Sequence, residues 1–252
     1  MAHGGSEEWN STVAAVVSGL GDSIPLTVAF GMADRASLQD GVSRLEAEGV
    51  SRIAVVRLFV SAHSFRHRTE LLLGLRADPP PEGHADHTPL EPIARTASIL
   101  LSAEGLSESH RMGAVLADRV EALSVAPRDE SVLILAHGMG DDTTNQELHA
   151  DIDRLADHVR ALAPFRSVRV ETLREDWEEK RATAEWSIRA FVEAGNRDGG
   201  RVIVVPFRVA GFGPYREVLA GLDYVADEQG LLPHPEVAGW IEEQVRTLLP
   251  TR

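Results

Sequence analysis

SVLILAHG (residues 131–138) is a run of apolar residues that ends on His137 and a glycine. It follows the polar turn APRDE (126–130). It precedes NQELHADIDRLADHVRAL (145–162), whose apolar positions 148, 152, 155, 159 and 162 recur at helical spacing. The run is too short for a helix and lacks the alternation of a half-exposed strand. It therefore reads as a strand buried on both faces of a parallel sheet. In open α/β sheets, ligands bind outside the carboxyl ends of the strands, which is where this reading puts His137. The same Ala-His-Gly step opens the chain in MAHGG (1–5).

Working outward, the first half reads as a helix over 11–20, a strand in IPLTVAFGM (24–32), a helix over 37–49 closed by Gly49, and a buried strand in RIAVVRLFV (52–60). A helix begins at HRTELLLGL (67–75), and 94–107 and 111–125 also read as helical. The second half repeats this plan. Strands at 131–136, 168–172 and 201–207 alternate with helices at 145–162, 179–195 and 234–249, and YREVLAGL (215–222) matches RTELLLGL (68–75). Alternating strands and helices predict an α/β fold. Two lobes are expected, 1–125 and 130–252, each a parallel sheet flanked by helices and related by duplication. Five of the 13 prolines fall in 76–92, which predicts a loop inserted into the first repeat. One difference stands out. The second half has SVLIL ahead of its Ala-His-Gly, the first only Met1. Either a strand is lacking there or another element fills its slot.

The chain of 252 residues carries 25 Lys+Arg against 39 Asp+Glu, a formal charge of −14. Lys180 is the one lysine. Such acidity disfavours nucleic acid and anionic membranes as partners. No apolar stretch approaches the roughly 20 residues of a membrane span. MAHGGSEEWN has no basic and apolar leader pattern, so a cytoplasmic place is expected. There is no cysteine. Any transition-metal site must then use His, Asp or Glu, a donor set suited to Co²⁺, Ni²⁺, Fe²⁺ or Zn²⁺.

The strand–AHGG–helix opening, RIAVVRLFVSAHS (52–64) and LILAHGMGDD (133–142), with TLRED (172–176), VIVVPF (202–207) and GLDYV (221–225), resemble the class II tetrapyrrole chelatases in a double-length form. This group includes the sirohydrochlorin cobaltochelatases and ferrochelatases. The resemblance implies two flavodoxin-like lobes around a cleft. It also implies an enzyme of tetrapyrrole (cobalamin) biosynthesis that inserts a divalent metal, Co²⁺ first and Fe²⁺ or Ni²⁺ second, into sirohydrochlorin or a relative. The metal is a substrate. The family's first histidine matches His3. Its second matches His63 or His67; SAH (61–63) favours His63, and the helix register of HRTELL keeps His67 open. Arg57 stands where the family has proline. The second repeat keeps His137 but ends its later strand in RVAGFGPYRE (208–217) without a histidine.

Neutral imidazoles suit both tasks of metal insertion, holding the ion and accepting pyrrole protons near pH 7. His3 and His63 are therefore the candidate catalytic residues, and His3, His63 and His67 the candidate metal ligands. His137, Arg66, Arg68 and Glu70 are candidates for binding the tetrapyrrole, the arginines through its carboxylates. Glu70 and Glu217 occupy equivalent helix starts, where favourable interaction with the helix dipole is the plainer role. His84 and His87 are candidate auxiliary ligands, and Asp141 and Asp142 read as caps of the next helix. HGMGDD lacks a phosphate-loop lysine, and GFG (211–213) is too short for a dinucleotide fingerprint. Duplication within one chain makes a homodimer unnecessary, so a monomer is expected. The rival reading is a non-catalytic metal- or tetrapyrrole-binding protein on the same scaffold.

Overall fold

The computed structural model describes residues 1–20, 24–78 and 90–250. It divides into two compact units, Met1–Leu106 with Ala238–Arg252, and Ser107–Val237. The observed units are not the two sequence halves, because each half's last helix is counted with the other unit. Helix α4 (Arg111–Leu123) packs on α5 (Asp142–Leu155), α6 (Asp157–Leu162) and β5 (Arg201–Phe207) of unit 2. Most of α9 (Pro235–Leu248) belongs to unit 1, where Ile241 and Val245 line an apolar cavity.

Unit 2 holds a parallel sheet in the order β4-β3-β5-β6, with β3 at Glu130–Ala136, β4 at Ser167–Thr172 and β6 at Val225–Ala226. Every residue of β3 is buried. Its neighbours explain this, since Ala136 pairs with Thr172 on one side and Phe207 on the other. Helix α7 (Glu178–Gly195) packs on β3, β4 and β5, and the short helix α8 (Tyr215–Val218) follows β5. Asp141 caps α5 by accepting from Thr144 N at 2.8 Å, which satisfies one orphan donor of the first turn. The helix expected over 145–162 is two helices, α5 and α6.

Unit 1 carries α1 (Glu7–Ser18), α2 (Arg35–Ala47), β1 (Arg52–Val55), α3 (Arg66–Leu72) and β2 (Ser98–Leu101). Strands β1 and β2 are parallel, Ile53 facing Ile99. The 94–107 stretch, expected to be helical, supplies β2 instead. The Glu46 carboxylate accepts from Thr96 N at 2.5 Å and Ala97 N at 2.7 Å, which sets the entry into an apolar run too short to fix its own state. The strand expected over 24–32 reduces to a single parallel bridge from Phe30 to Ala2, and Leu58 makes the matching bridge from the other side. Ala2 thus lies between Phe30 and Leu58 as Ala136 lies between Thr172 and Phe207. The strand expected over 52–60 closes at Val55.

Candidate functional site

The first repeat builds its strand end from two residues. Ala2 N donates to Ala29 O at 3.0 Å and Gly31 N to Ala2 O at 2.9 Å, while Leu58 N donates to Met1 O at 2.9 Å. The Met1 amine donates to Val56 O at 2.7 Å. Burial, with the Arg57 charge adding to it, pushes that amine down to about 5. His3 therefore leaves the sheet at a fixed point. Its Nδ1 lies 2.7 Å from Gly4 O. A carbonyl only accepts, so Nδ1 carries the proton and Nε2 presents its lone pair. The ring stands edge-on to Phe59 and Phe65, with centroids 6.4 and 6.2 Å away.

Phe59 and Phe65 bracket the loop that carries His63, and Arg57 holds that loop from beneath. The side chain of Arg57 is fully buried. Its Nη2 donates to Ala62 O at 2.6 Å, its Nη1 to Ser64 O at 2.9 Å and its Nε to Ser102 O at 3.3 Å. A planar fork of donors fixed on carbonyls ties the loop to the end of β2. Gly105 completes the support, because a Cβ there would meet Ala62 N and Ser61 C at 2.5 Å. His63 itself is exposed, and its backbone N donates to Ser61 Oγ at 3.1 Å. The structure thus brings His3 beside the loop of His63. Arg57, noted in the sequence only as a departure from proline, is the residue that fixes this loop.

The remaining sequence candidates of unit 1 lie along α3. His67 Nε2 is 3.1 Å from Asp78 O, so this ring nitrogen is engaged by backbone. Both oxygens of Glu70 are committed, Oε1 to Arg66 Nε at 2.9 Å and Oε2 to Arg76 Nε at 2.8 Å. Burial works against its charge, but these two arginines outweigh it and hold the carboxyl below its usual range. Arg68 Nε donates to Ala33 O at 3.0 Å. His84 and His87 lie outside the described residues. Among the described residues, no group of three or more His, Asp or Glu side chains is placed to hold a metal ion.

Unit 2 repeats the strand-end histidine in other company. His137 Nδ1 lies 2.8 Å from Gly138 O, and its Nε2 faces Asp176 at 3.3 Å and Glu175 at 3.7 Å. Glu175 also accepts from Arg208, which follows β5 and lies over the Tyr215 ring at 5.6 Å. Tyr215 is fully buried, and burial raises its hydroxyl well above the ordinary phenol value. Asp142, expected as a cap, instead pairs with Lys180 at 2.6 Å and Arg174 at 2.7 Å; hydrogen bonds from Lys180, then Arg174, hold its carboxyl low. Sequence reasoning missed Glu175, Arg208 and Tyr215 as a cluster. TLRED, RVAGF and PYRE each contribute one member, and only the folded sheet joins them.

No protein-family model matches the chain, and no curated protein matches it. Solved structures do. SirB from Bacillus subtilis with Fe³⁺ superposes with a TM-score of 0.68 at 16% identity, over 99% of this chain and 93% of that one. CbiX, the terminal enzyme for biosynthesis of siroheme in denitrifying bacteria, gives 0.61 at 16% identity, over 98% and 97%. The sirohydrochlorin chelatase SirB from Bacillus subtilis subspecies spizizenii in complex with cobalt gives 0.59 at 14%, over 98% and 92%. Across nearly its whole length, the chain has the α/β fold of the SirB and CbiX chelatases, with two parallel sheets flanked by helices.

Proposed function

We propose that the chain is a metal chelatase that inserts Co²⁺, or else Fe²⁺ or Ni²⁺, into sirohydrochlorin or a related tetrapyrrole. The observation that supports this best is His3. Its Nδ1 is spent on Gly4 O, its Nε2 is left for a ligand, and it stands against the loop that carries His63. Two imidazoles hold a divalent ion weakly and leave coordination positions open for an incoming macrocycle. The ion passes from the imidazoles to the four macrocycle nitrogens, and two pyrrole N–H protons leave. His3 and His63 become free as the ion departs and accept those protons as general bases. His67 is the alternative to His63, at the cost of its bond to Asp78 O.

Substrate binding falls to the arginines. Arg66 is 44% exposed, so a tetrapyrrole carboxylate competes with Glu70 for its guanidinium. Arg68 and His137 are further candidates for contact with the macrocycle. A monomeric, cytoplasmic enzyme fits this reading; among the described residues, no helix is long and apolar enough to cross a membrane.

The test is the change in sirohydrochlorin absorbance on adding Co²⁺ with and without protein. Wild type should accelerate insertion. His3→Ala and His63→Ala should each slow it roughly 100-fold or more, the usual worth of a positioned base, with unchanged melting temperature. Loss in His67→Ala but not His63→Ala would exchange the two ligands. Binding of Co²⁺ or tetrapyrrole without any acceleration would instead support a carrier.

A further inference from the structure

Phe65 breaks two local rules at once. Its backbone is left-handed, φ +53°, a conformation that bulky side chains rarely adopt. It also fills the N-cap of α3 without a side-chain capping bond, where Ser, Thr, Asp or Asn would satisfy an orphan N–H. Its neighbours hold it there. Phe65 O accepts from Thr69 N at 2.9 Å and from Thr69 Oγ1 at 2.7 Å, and Thr69 is fully buried. Arg57 Nη1 fixes the preceding carbonyl, Ser64 O, at 2.9 Å. Backbone strain that the surroundings over-determine concentrates at functional positions, where local preference yields to use.

The place where the ring is held points to its task. His3, Phe59 and Phe65 form a triangle of rings, and the centroids of the two phenylalanines are 5.6 Å apart. Phe59 is 4% exposed and backs the triangle, whereas Phe65 is 36% exposed and carries its open side. His3 does not depend on Phe65 for its orientation, since Gly4 O already fixes Nδ1. Met32, 53% exposed, follows Gly31, whose N–H bonds Ala2 O, so a second bare apolar side chain lies next to the same strand end. A hydrated metal ion gains nothing from bare apolar surface. A flat conjugated ring gains by burying it and by stacking. We propose that Phe65 is the substrate-positioning residue of this site: its exposed ring packs on the conjugated macrocycle and sets the tetrapyrrole beside His3 Nε2. This role rests on the chelatase reading of the site.

The experiment measures two affinities separately, Co²⁺ by calorimetry and metal-free sirohydrochlorin by its fluorescence change. Both are read on wild type and on Phe65→Leu, Phe65→Asn and Phe65→Tyr. Leucine keeps apolar bulk without the ring. Asparagine accepts both the left-handed backbone and the N-cap, so a loss of binding there cannot come from added strain. Phe65→Leu should weaken sirohydrochlorin binding about three- to tenfold, the worth of a stacking contact beyond its area. Phe65→Asn, which gives up the apolar area as well, should weaken it about tenfold or more. Both should leave Co²⁺ affinity unchanged, and Phe65→Tyr should match wild type in both measurements. Wild-type sirohydrochlorin affinity in Phe65→Leu or Phe65→Asn, or a loss in Phe65→Tyr equal to theirs, overturns the inference. An equal fall in Co²⁺ affinity overturns it too, by making Phe65 a prop for the His3 ring. Absence of sirohydrochlorin binding by wild type would instead sink the chelatase reading, and the role of Phe65 with it.

Discussion

His3 and His137 orient their rings by the same bond. Each Nδ1 lies against the carbonyl of the next residue, Gly4 at 2.7 Å and Gly138 at 2.8 Å. Both glycines have a left-handed backbone, φ +80° and +86°, which turns that carbonyl back toward the ring. The repeats then diverge at Nε2, which faces two carboxylates in His137 and is exposed in His3.

Gly4→Ala tests the ring clamp. A side chain at positive φ costs about 1–2 kcal/mol, and its Cβ would meet Gly31 N at 3.2 Å. Losing an orienting partner typically weakens a metal ligand about tenfold or more. Co²⁺ affinity by calorimetry should fall by that factor. Gly49→Ala, at φ +83° with nothing within 4 Å, carries the same backbone penalty and should leave affinity unchanged. Equal losses in both would show that general strain, not ring orientation, was measured.

Arg57→Met should destabilise the protein by about 3 kcal/mol in urea unfolding, since hydrogen bonds from charged groups are worth about 1.5–3 kcal/mol each and the carbonyls of Ala62 and Ser64 would lose their donor. Arg57→Lys should restore little, because a point charge cannot reach all the carbonyls of the fork. Full recovery by lysine would refute the fork.

Much of this molecule was legible in its sequence. SVLIL and VIVVPF gave parallel strands because both-face burial forces continuous apolar runs, and SVRVET, at the sheet edge and half-exposed, gave one by alternation. Ser98–Leu101 was not legible as a strand, since its state is set by Glu46 from across the unit. The exchange of α4 and α9 between halves was hidden for the same reason: helix periodicity reports an apolar face, not what covers it. The strand-end place of His3 could be read because glycine follows it. Arg57 looked like an anomaly, because its partners are carbonyls, which leave no trace in side-chain pattern.

Acid stability should depend on Glu130. Its side chain is buried; burial raises its pKa, but hydrogen bonds from Ser124, Val125 and Arg201 outweigh that and hold the carboxyl below its ordinary range. A depressed folded value means that the unfolded chain binds the proton first. The stabilisation is complete above the unfolded value of about 4.3 and is lost as pH falls through the folded value. Glu130→Gln should melt well below wild type at pH 7, and the gap should narrow steadily as pH falls from about 4.3. A gap independent of pH would assign its cost to packing alone.

The Glu175–Arg208 pair should be worth far more than its counterparts on the surface. Arg44 and Asp40 offer the comparison: they are 66% and 61% exposed, and such pairs contribute about 0–1 kcal/mol. Glu175 is 11% exposed and Arg208 25%, with Tyr215 beneath the guanidinium. Screening by water is weaker there, and removing one partner strands the other charge. A double-mutant cycle with Glu175→Gln and Arg208→Met should give a coupling energy of about 1–3 kcal/mol, against near zero for Asp40→Asn with Arg44→Met. The single change Glu175→Gln should cost more than the double, because it leaves Arg208 without a carboxylate. Additive effects in both cycles would reduce the cluster beside His137 to an ordinary surface ion pair.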